Sequence, residues 1–430
     1  MPGMDQKREK DREYEMQNTR NDNYQEDEYI NRLKEVLKEH PRLRSLRYFI
    51  NQMRQWYRKI QNGQTTGRIV ILGTAVPEEL VMAAGEIPFR ILGGSRRSCD
   101  WSDDLVPRDT DPVSRSVLGY VQCLPAERDL LYIVPTDSDS MRKTAYQLRL
   151  EGRKVFPVDI PPIREDADAC DKWTEQMFRM MEAAAQHVHG KITAASLQAA
   201  VRVTSRARIC LHEFTLMAPE FDGVLSPTAR LIVQNSYYYA DDPEVWTMKL
   251  RELMHEIRKT ALQTGYFRDS RPRVLLMGSP LYFPNDKIPR LLDDSGLCIW
   301  RQEDAAANIQ NIIPKIGKDR RNLKKMIGTV ARTWYRADTS GAYLKNEVMR
   351  RRVRALGASG QIEGVVFHVL KGQIGQDFEL AYCEELLEKY HIPVFRLETD
   401  YQYQDVEQLR IRMEAFTEML SQNRTERKVV

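Results

Sequence analysis

The stretch Ile362–Leu420 constrains the fold more than any other part of the chain. It opens with Val365–Leu370, a run of apolar and β-branched residues too short for a free-standing helix. Such a run predicts a buried parallel strand. After a Gly-containing loop, Phe378–Tyr390 carries apolar residues at helical spacing, and His391-Ile392-Pro393 ends that helix. Val394–Leu397 reads as a second strand. Val406–Leu420 reads as a second amphipathic helix, with Leu409, Met413, Phe416 and Met419 near one face. Strand, helix, strand, helix is a βαβα unit with a right-handed crossover. Ligands of such sheets bind beyond the carboxyl ends of the strands. That rule places any chemistry at Lys371-Gly372-Gln373 and Glu398-Thr399-Asp400-Tyr401.

The rest of the chain falls into five spans around this unit. Residues 1–27 are charged and nearly free of aliphatic side chains, a composition that predicts disorder. Residues 28–67 form a helical arm, with Ile30, Leu33, Val36 and Leu37 on one face before Pro41 and Leu46, Phe49, Ile50, Met53 and Tyr57 after it. A first α/β domain spans 68–164. Its opening, IVILGTAVPEELVMAAGEIPFRILGG, reads as a strand, a helix started at Pro77 and a second strand. Asp129–Val134 and Lys154–Ile160 are further strand candidates, with a helix at Met141–Leu150 between them. Residues 165–270 are a helical linker region, clearest at Asp171–His187, Leu197–Ala218 and Pro243–Thr264. A second α/β domain, 271–425, opens on VLLMGSPL and contains the strand Leu297–Arg301 and a long insertion. The expected fold class is therefore α/β: two doubly wound (Rossmann-like) domains with a helical insertion and an N-terminal helical arm.

Size and charge exclude several functions. A chain of 430 residues is too long for one ordinary core. Its 65 Lys+Arg against 61 Asp+Glu leave a formal charge of only +4, which gives nucleic-acid binding little support. The six cysteines (Cys99, Cys123, Cys170, Cys210, Cys298 and Cys383) form no CxxC pair and no disulfide framework. The first residues hold no apolar signal segment, and no later span is apolar enough to cross a bilayer. A cytoplasmic protein without membrane or nucleic-acid partners is expected.

VVFHVLKGQ, then IPVFRLETDY, then QLRIRMEAFTEML resembles the C-terminal segment of the 2-hydroxyacyl-CoA dehydratase and benzoyl-CoA reductase subunit family, and the strand–glycine–PEEL–AAG opening resembles its first element. The resemblance covers roughly Arg68–Leu420. It implies paired α/β subunits that hold iron–sulfur clusters through cysteines and receive electrons from a separate activator ATPase. It also implies three cluster positions. Asp111, in Asp109-Thr110-Asp111-Pro112, stands where the family has T-C-P. Ser138, in Thr136-Asp137-Ser138-Asp139, stands where it has T-C-D, and Gln373 stands at the third cysteine. Clusters are normally held by soft thiolates, so the family cluster is expected to be absent from this chain, with no other metal. Cys99, upstream of Asp111, is the only cysteine near an expected position.

With the thiols replaced, the former cluster site becomes a polar pocket of Asp111, Ser138, Asp139, Gln373, Glu398 and Asp400, with His368 and Lys371 as a candidate acid–base pair. The bland alternative is a hydrogen-bonded histidine at a strand end. Gly73 and Gly278-Ser279 end strands and open helices, a geometry that cradles phosphates, although close packing explains a glycine equally well. The resemblance makes a coenzyme A thioester the ligand for that face. Lys315, Lys318, Arg320, Arg321, Lys324 and Lys325 form a basic run that reads as a solvated face or a contact for a CoA phosphate. Trp334–Asp338 resembles a partner-contact region. Two functions follow: a structural or partner subunit beside a paralogous cluster-bearing subunit or a second copy of itself, or a cluster-free acyl-CoA or small-acid lyase. The resemblance, in which these positions converge on one cluster, and their places at strand ends imply that Asp111, Ser138 and Gln373 face one interdomain space.

Overall fold

The computed structural model describes residues 29–266, 270–317 and 321–429, with side chains through Arg424. The expected disordered stretch 1–27, and Lys318 and Arg320 of the basic run, lie outside the described residues. The chain is α/β, with two four-stranded parallel sheets. Helix α1 (residues 29–39) and α2 (Leu46–Gln61) form the N-terminal arm. Both are folded onto the body: Leu33, Val36, Phe49, Met53 and Ile60 are buried, Tyr29 stacks on Tyr57, and Trp56 Nε1 donates to Arg90 O at 2.9 Å.

The first sheet is built from β1 (Ile69–Leu72), α3 (Glu78–Met82), β2 (Phe89–Ile91), α4 (Arg96–Asp100), α5 (Pro112–Gln122), β3 (Leu131–Pro135), α6 (Asp139–Leu150) and β4 (Lys154–Val158). Four helices follow: α7 (Ala169–Val188), α8 (Ala194–Met217), α9 (Pro227–Ser236) and α10 (Pro243–Thr264). The last shows how local chemistry sets the ends. Asp242 caps it by accepting from Glu244 N and Val245 N, Pro243 takes the first turn, and Gly265 closes it at φ +63°. The second sheet uses β5 (Arg273–Gly278), α11 (Lys287–Asp294), β6 (Cys298–Asp304), α12 (Leu323–Ala337), α13 (Glu347–Ala358), β7 (Gly364–Leu370), α14 (Ile374–Glu388), β8 (Val394–Thr399) and α15 (Val406–Val429). Among the described residues no helix is long and apolar enough to cross a membrane.

Both sheets have one plan. The strand orders are β2-β1-β3-β4 and β6-β5-β7-β8, parallel throughout. In each, the chain runs outward from the first strand on one side and then crosses to the other. The switch points lie between β1 and β3 and between β5 and β7, where open α/β sheets bind ligands. A buried ionic knot ties the first sheet to its surroundings. Arg208 of α8 binds Glu78 and Glu79 of α3 at 2.7 Å each, Arg90 of β2 binds Glu78 at 3.0 Å, and Trp334 of α12 donates to Glu79 at 3.0 Å. Burial alone would raise the Glu78 carboxyl, but Arg208 and Arg90 outweigh it and hold it at about 2. Trp334 and Tyr335 are thus buried within the chain, which corrects the expectation that this stretch offers them to a partner.

Candidate functional site

The three positions singled out by sequence have one structural role: each is the residue just before a helix. Asp111 precedes α5, Ser138 precedes α6 and Gln373 precedes α14. A helix start leaves unpaired N–H groups and a positive end. Two of the three side chains answer that demand. The Asp111 carboxylate accepts from Ser114 N at 3.1 Å and the Ser138 hydroxyl from Met141 N at 3.1 Å. Gln373 makes no such cap. Its Nε2 instead crosses to the other sheet's side and donates to Asp111 Oδ1 at 3.3 Å, while its Oε1 finds no donor within the described protein.

Backbone packing brings these loops together. A Cβ on Gly372, which sits at φ +86°, would meet Asp109 O at 3.1 Å and Asp111 N at 3.2 Å. A Cβ on Gly94 would meet Tyr282 O at 2.3 Å, so the loops after β2 and β5 also touch main chain to main chain. Cys99, Leu370 and Tyr401 form a small apolar cluster beside Asp111, with Val113 packed on it. Cys99 Sγ donates to Pro112 O at 3.3 Å, and burial pushes its thiol up to about 12, which keeps it protonated. The other five cysteines lie in or beside α5, α7, α8, β6 and α14, away from these caps.

Ionisable groups respond to this enclosure in opposite directions. Asp137, at the end of the β3 loop, is pushed up to about 7, first by burial and then by the carboxylates of Asp338 and Asp111. His368 is fully buried on β7, and burial, with the Lys287 charge behind it, pushes its imidazole down to about 3. The Ser279 backbone opposes that shift only weakly, and among the described residues neither ring nitrogen of His368 makes a hydrogen bond of good geometry. Lys371 is largely exposed and pairs with Asp400 at 3.1 Å, so no hydrogen bond joins it to His368. Lys287 is the inner cation. Its Nζ binds Asp405 Oδ1 at 3.0 Å and the carbonyls of Asp400 at 2.7 Å and Gln402 at 2.6 Å, and burial lowers its pKa.

The remaining sequence candidates divide the same way. Asp139 points outward and pairs with Arg142 at 2.7 Å, and Glu398 is held by Arg396 at 2.9 Å. Gly73 sits at φ +80° at the end of β1, its carbonyl accepting from Arg90 at 2.9 Å. Gly278 sits at φ +107°, and a Cβ there would lie 2.1 Å from His368 O. Ser279 is buried, donating its N–H to His368 O and accepting from Leu370 N, each at 2.8 Å. Gly278 and Ser279 therefore knit β5 to β7. Sequence reasoning missed Asp137. The signal for it was its place at the first switch point, directly after β3, whereas Ser138 and Asp139 already belong to the helix start.

Comparison with known proteins bears on the same segments. The family profile "2-hydroxyglutaryl-CoA dehydratase, D-component" matches residues 73–420. The chain is 24% identical to the (R)-phenyllactyl-CoA dehydratase beta subunit of Clostridium sporogenes, over 92% of this chain and 99% of that one. It is 23% identical to the (R)-2-hydroxyglutaryl-CoA dehydratase subunit beta of Acidaminococcus fermentans, over 80% and 90% respectively. To the lactoyl-CoA dehydratase subunit beta of Anaerotignum propionicum it is 22% identical, over 82% and 92%.

Proposed function

The chain belongs to the 2-hydroxyglutaryl-CoA dehydratase D-component family, and on that premise we propose that it is a subunit of a 2-hydroxyacyl-CoA dehydratase-type complex that carries no cluster of its own. The observation behind this reading is the Asp111–Gln373 contact, together with the two caps. Two of the loops that the resemblance assigns to a cluster, those of Asp111 and Gln373, meet, and the donors at the three positions are a carboxylate, a hydroxyl and an amide. These donors do not fit an iron–sulfur cluster, which takes soft thiolates, and the carboxylate and hydroxyl are already engaged with helix N–H groups. No chemistry of the chain is therefore routed through such a group. Its contribution is a rigid, polar face, with a paralogous cluster-bearing subunit, or a second copy, opposite it. In this reading an activator ATPase serves the partner, the complex is cytoplasmic, and a coenzyme A thioester is the ligand of the shared cleft.

The test is metal content. The chain is purified anaerobically alone and with a paralogous subunit that carries the three family cysteines, and iron and acid-labile sulfide are measured per chain. Background levels in the isolated chain and a stoichiometric cluster in the pair are expected. A stoichiometric cluster in the isolated chain overturns the reading.

One observation favours a second reading, a cluster-free lyase acting on an acyl-CoA or a small acid. Asp137, pushed up to about 7, is tuned for proton transfer at neutral pH, and would take the acid–base role that the sequence assigns to His368 and Lys371. Turnover in air without any ATPase, abolished in Asp137→Asn and showing a midpoint near pH 7, would support it. Absence of turnover with the partner subunit removed would not.

A further inference from the structure

A second concave site lies away from the switch points, along the outer edge of the second sheet. It is a cavity of about 310 Å³ between α8, α9, α13 and the edge strand β6, within the size range of small-ligand sites. Its floor is apolar, from Leu231, Ile299 and Leu356. A bulge at Trp300 breaks the register of β6 against β5, since Val274 pairs with Ile299 and Leu275 with Arg301. Bulges re-aim side chains at sheet edges, and here Arg301 lines the cavity.

Charge in the cavity does not balance. Arg352 pairs with Glu303 at 3.1 Å, and Arg230 pairs with Asp222 and caps the Ile299 carbonyl at 3.1 Å. Arg301 has no such counter-ion. Its guanidinium donates only to Trp300 O at 2.6 Å and Gln361 Oε1 at 3.4 Å, and among the described residues no carboxylate lies at ion-pair distance. Burial disfavours its charge, with Glu220 only partly opposing. A partly buried cation without a counter-ion stands above an apolar floor, and a ligand with the opposite charge relieves that cost.

We propose that this cavity binds a small amphipathic carboxylate, with its head on Arg301 and its apolar body over Leu231, Ile299 and Leu356. The occupant is a monoanion, because Arg301 supplies one unmatched charge. It is amphipathic, because Leu231, Ile299 and Leu356 offer an apolar surface to its body within the same cavity as that charge. The site shares no residue with Asp111, Asp137 or Gln373, and the proposal does not depend on the subunit reading.

Hexanoate, with acetate and uncharged hexanamide as controls, is titrated calorimetrically into the full chain. Hexanoate is expected to bind one per chain. Hexanamide and acetate should each bind at least about tenfold more weakly, for want of the charge and the body respectively. Arg301→Gln, at a partly exposed position, should weaken hexanoate about tenfold. Ala355→Trp, on the exposed rim of α13, should block it while the melting temperature of the unliganded protein stays unchanged. Equal affinity for hexanamide, unchanged affinity in Arg301→Gln, or no hexanoate binding to the wild-type chain at millimolar concentration each overturns the proposal. None of these outcomes bears on iron content, so failure here leaves the subunit reading untouched.

Discussion

The two sheets share one strand order yet finish their switch points with opposite chemistry. Beyond β1 and β3 stand carboxyls, and the enclosure drives Asp137 toward its protonated form. Within β7, opposite the end of β5, stands a buried imidazole, and the same kind of enclosure strips its proton. One cause, the cost of burying charge, gives an acid held near neutrality on one side and a neutral base on the other. Packing differs in parallel. Gly73 has room around it, whereas Gly278 lies against the backbone of the neighbouring strand. The first switch point is built to carry polar side chains; the second is built to be tight, with Gln373 its main reach toward the first.

The glycines offer the largest break in this comparison. Gly278→Ala places a Cβ 2.1 Å from His368 O at φ +107° and should cost ~4 kcal/mol or more in urea unfolding. Gly73→Ala meets nothing nearer than Pro135 Cγ at 3.7 Å and should cost only about 1–2 kcal/mol, from its positive φ. Equal costs would mean that the two strand ends are packed alike.

The pH dependence sharpens the contrast next, because its sign differs between the halves. The folded value of His368 lies below its ordinary 6.5, so the unfolded chain takes up the proton first. Its contribution is complete above about 6.5 and is lost as the pH falls toward about 3, with about 3 kcal/mol of it gone by pH 4. His368→Leu should flatten that acid limb in unfolding measured from pH 7 to 4. For Asp137 the folded value lies above the ordinary 3.8. Its contribution is complete below about 3.8 and is lost as the pH rises through about 7. Asp137→Asn should therefore stabilise the chain by about 2 kcal/mol at pH 8 and change little at pH 4. A gain at the same end of the pH range in both variants would refute the opposition.

The caps carry the smallest effects. Asp111→Ala loses both the cap of α5 and the tie to Gln373 and should cost about 1–2 kcal/mol. Ser138→Ala should cost about 1 kcal/mol. Gln373→Ala, which caps nothing, should cost less than about 1 kcal/mol. A larger loss at Gln373 than at Asp111 would make the crossing contact, rather than the caps, the stabilising feature.

Much of the fold was legible in the sequence because the strands are short apolar runs, and β1, β2, β3 and β7 are buried along their whole length. Val365–Leu370 and Val394–Leu397 lie within β7 and β8, and Pro243–Thr264 coincides with α10. Helix α9 falls inside the expected helical linker region but was not singled out, since Pro227–Ser236 is buried on nearly every side and so carries no amphipathic stripe. At the site, the resemblance picked out Asp111 and Gln373, 262 residues apart, which meet. It could not tell Asp137 from its two neighbours. That distinction depends on where α6 starts: Ser138 turns back to cap and Asp139 swings into solvent, while Asp137 feels the carboxylates of Asp338 and Asp111. The cavity beside β6 was equally hidden, because a bulge and the packing of three separated helices create it.

The central claim is that the three helix starts converge on one space and that only the absence of thiols keeps a cluster from it. Anaerobic reconstitution with iron and sulfide, applied to the wild-type chain and to the triple variant Asp111→Cys, Ser138→Cys, Gln373→Cys, tests both halves at once. After desalting, the account predicts a retained cluster in the triple variant, seen as stoichiometric iron and sulfide, and only background in the wild type. A stoichiometric cluster in the wild-type chain, or none in a triple variant that melts like the wild type, would contradict it.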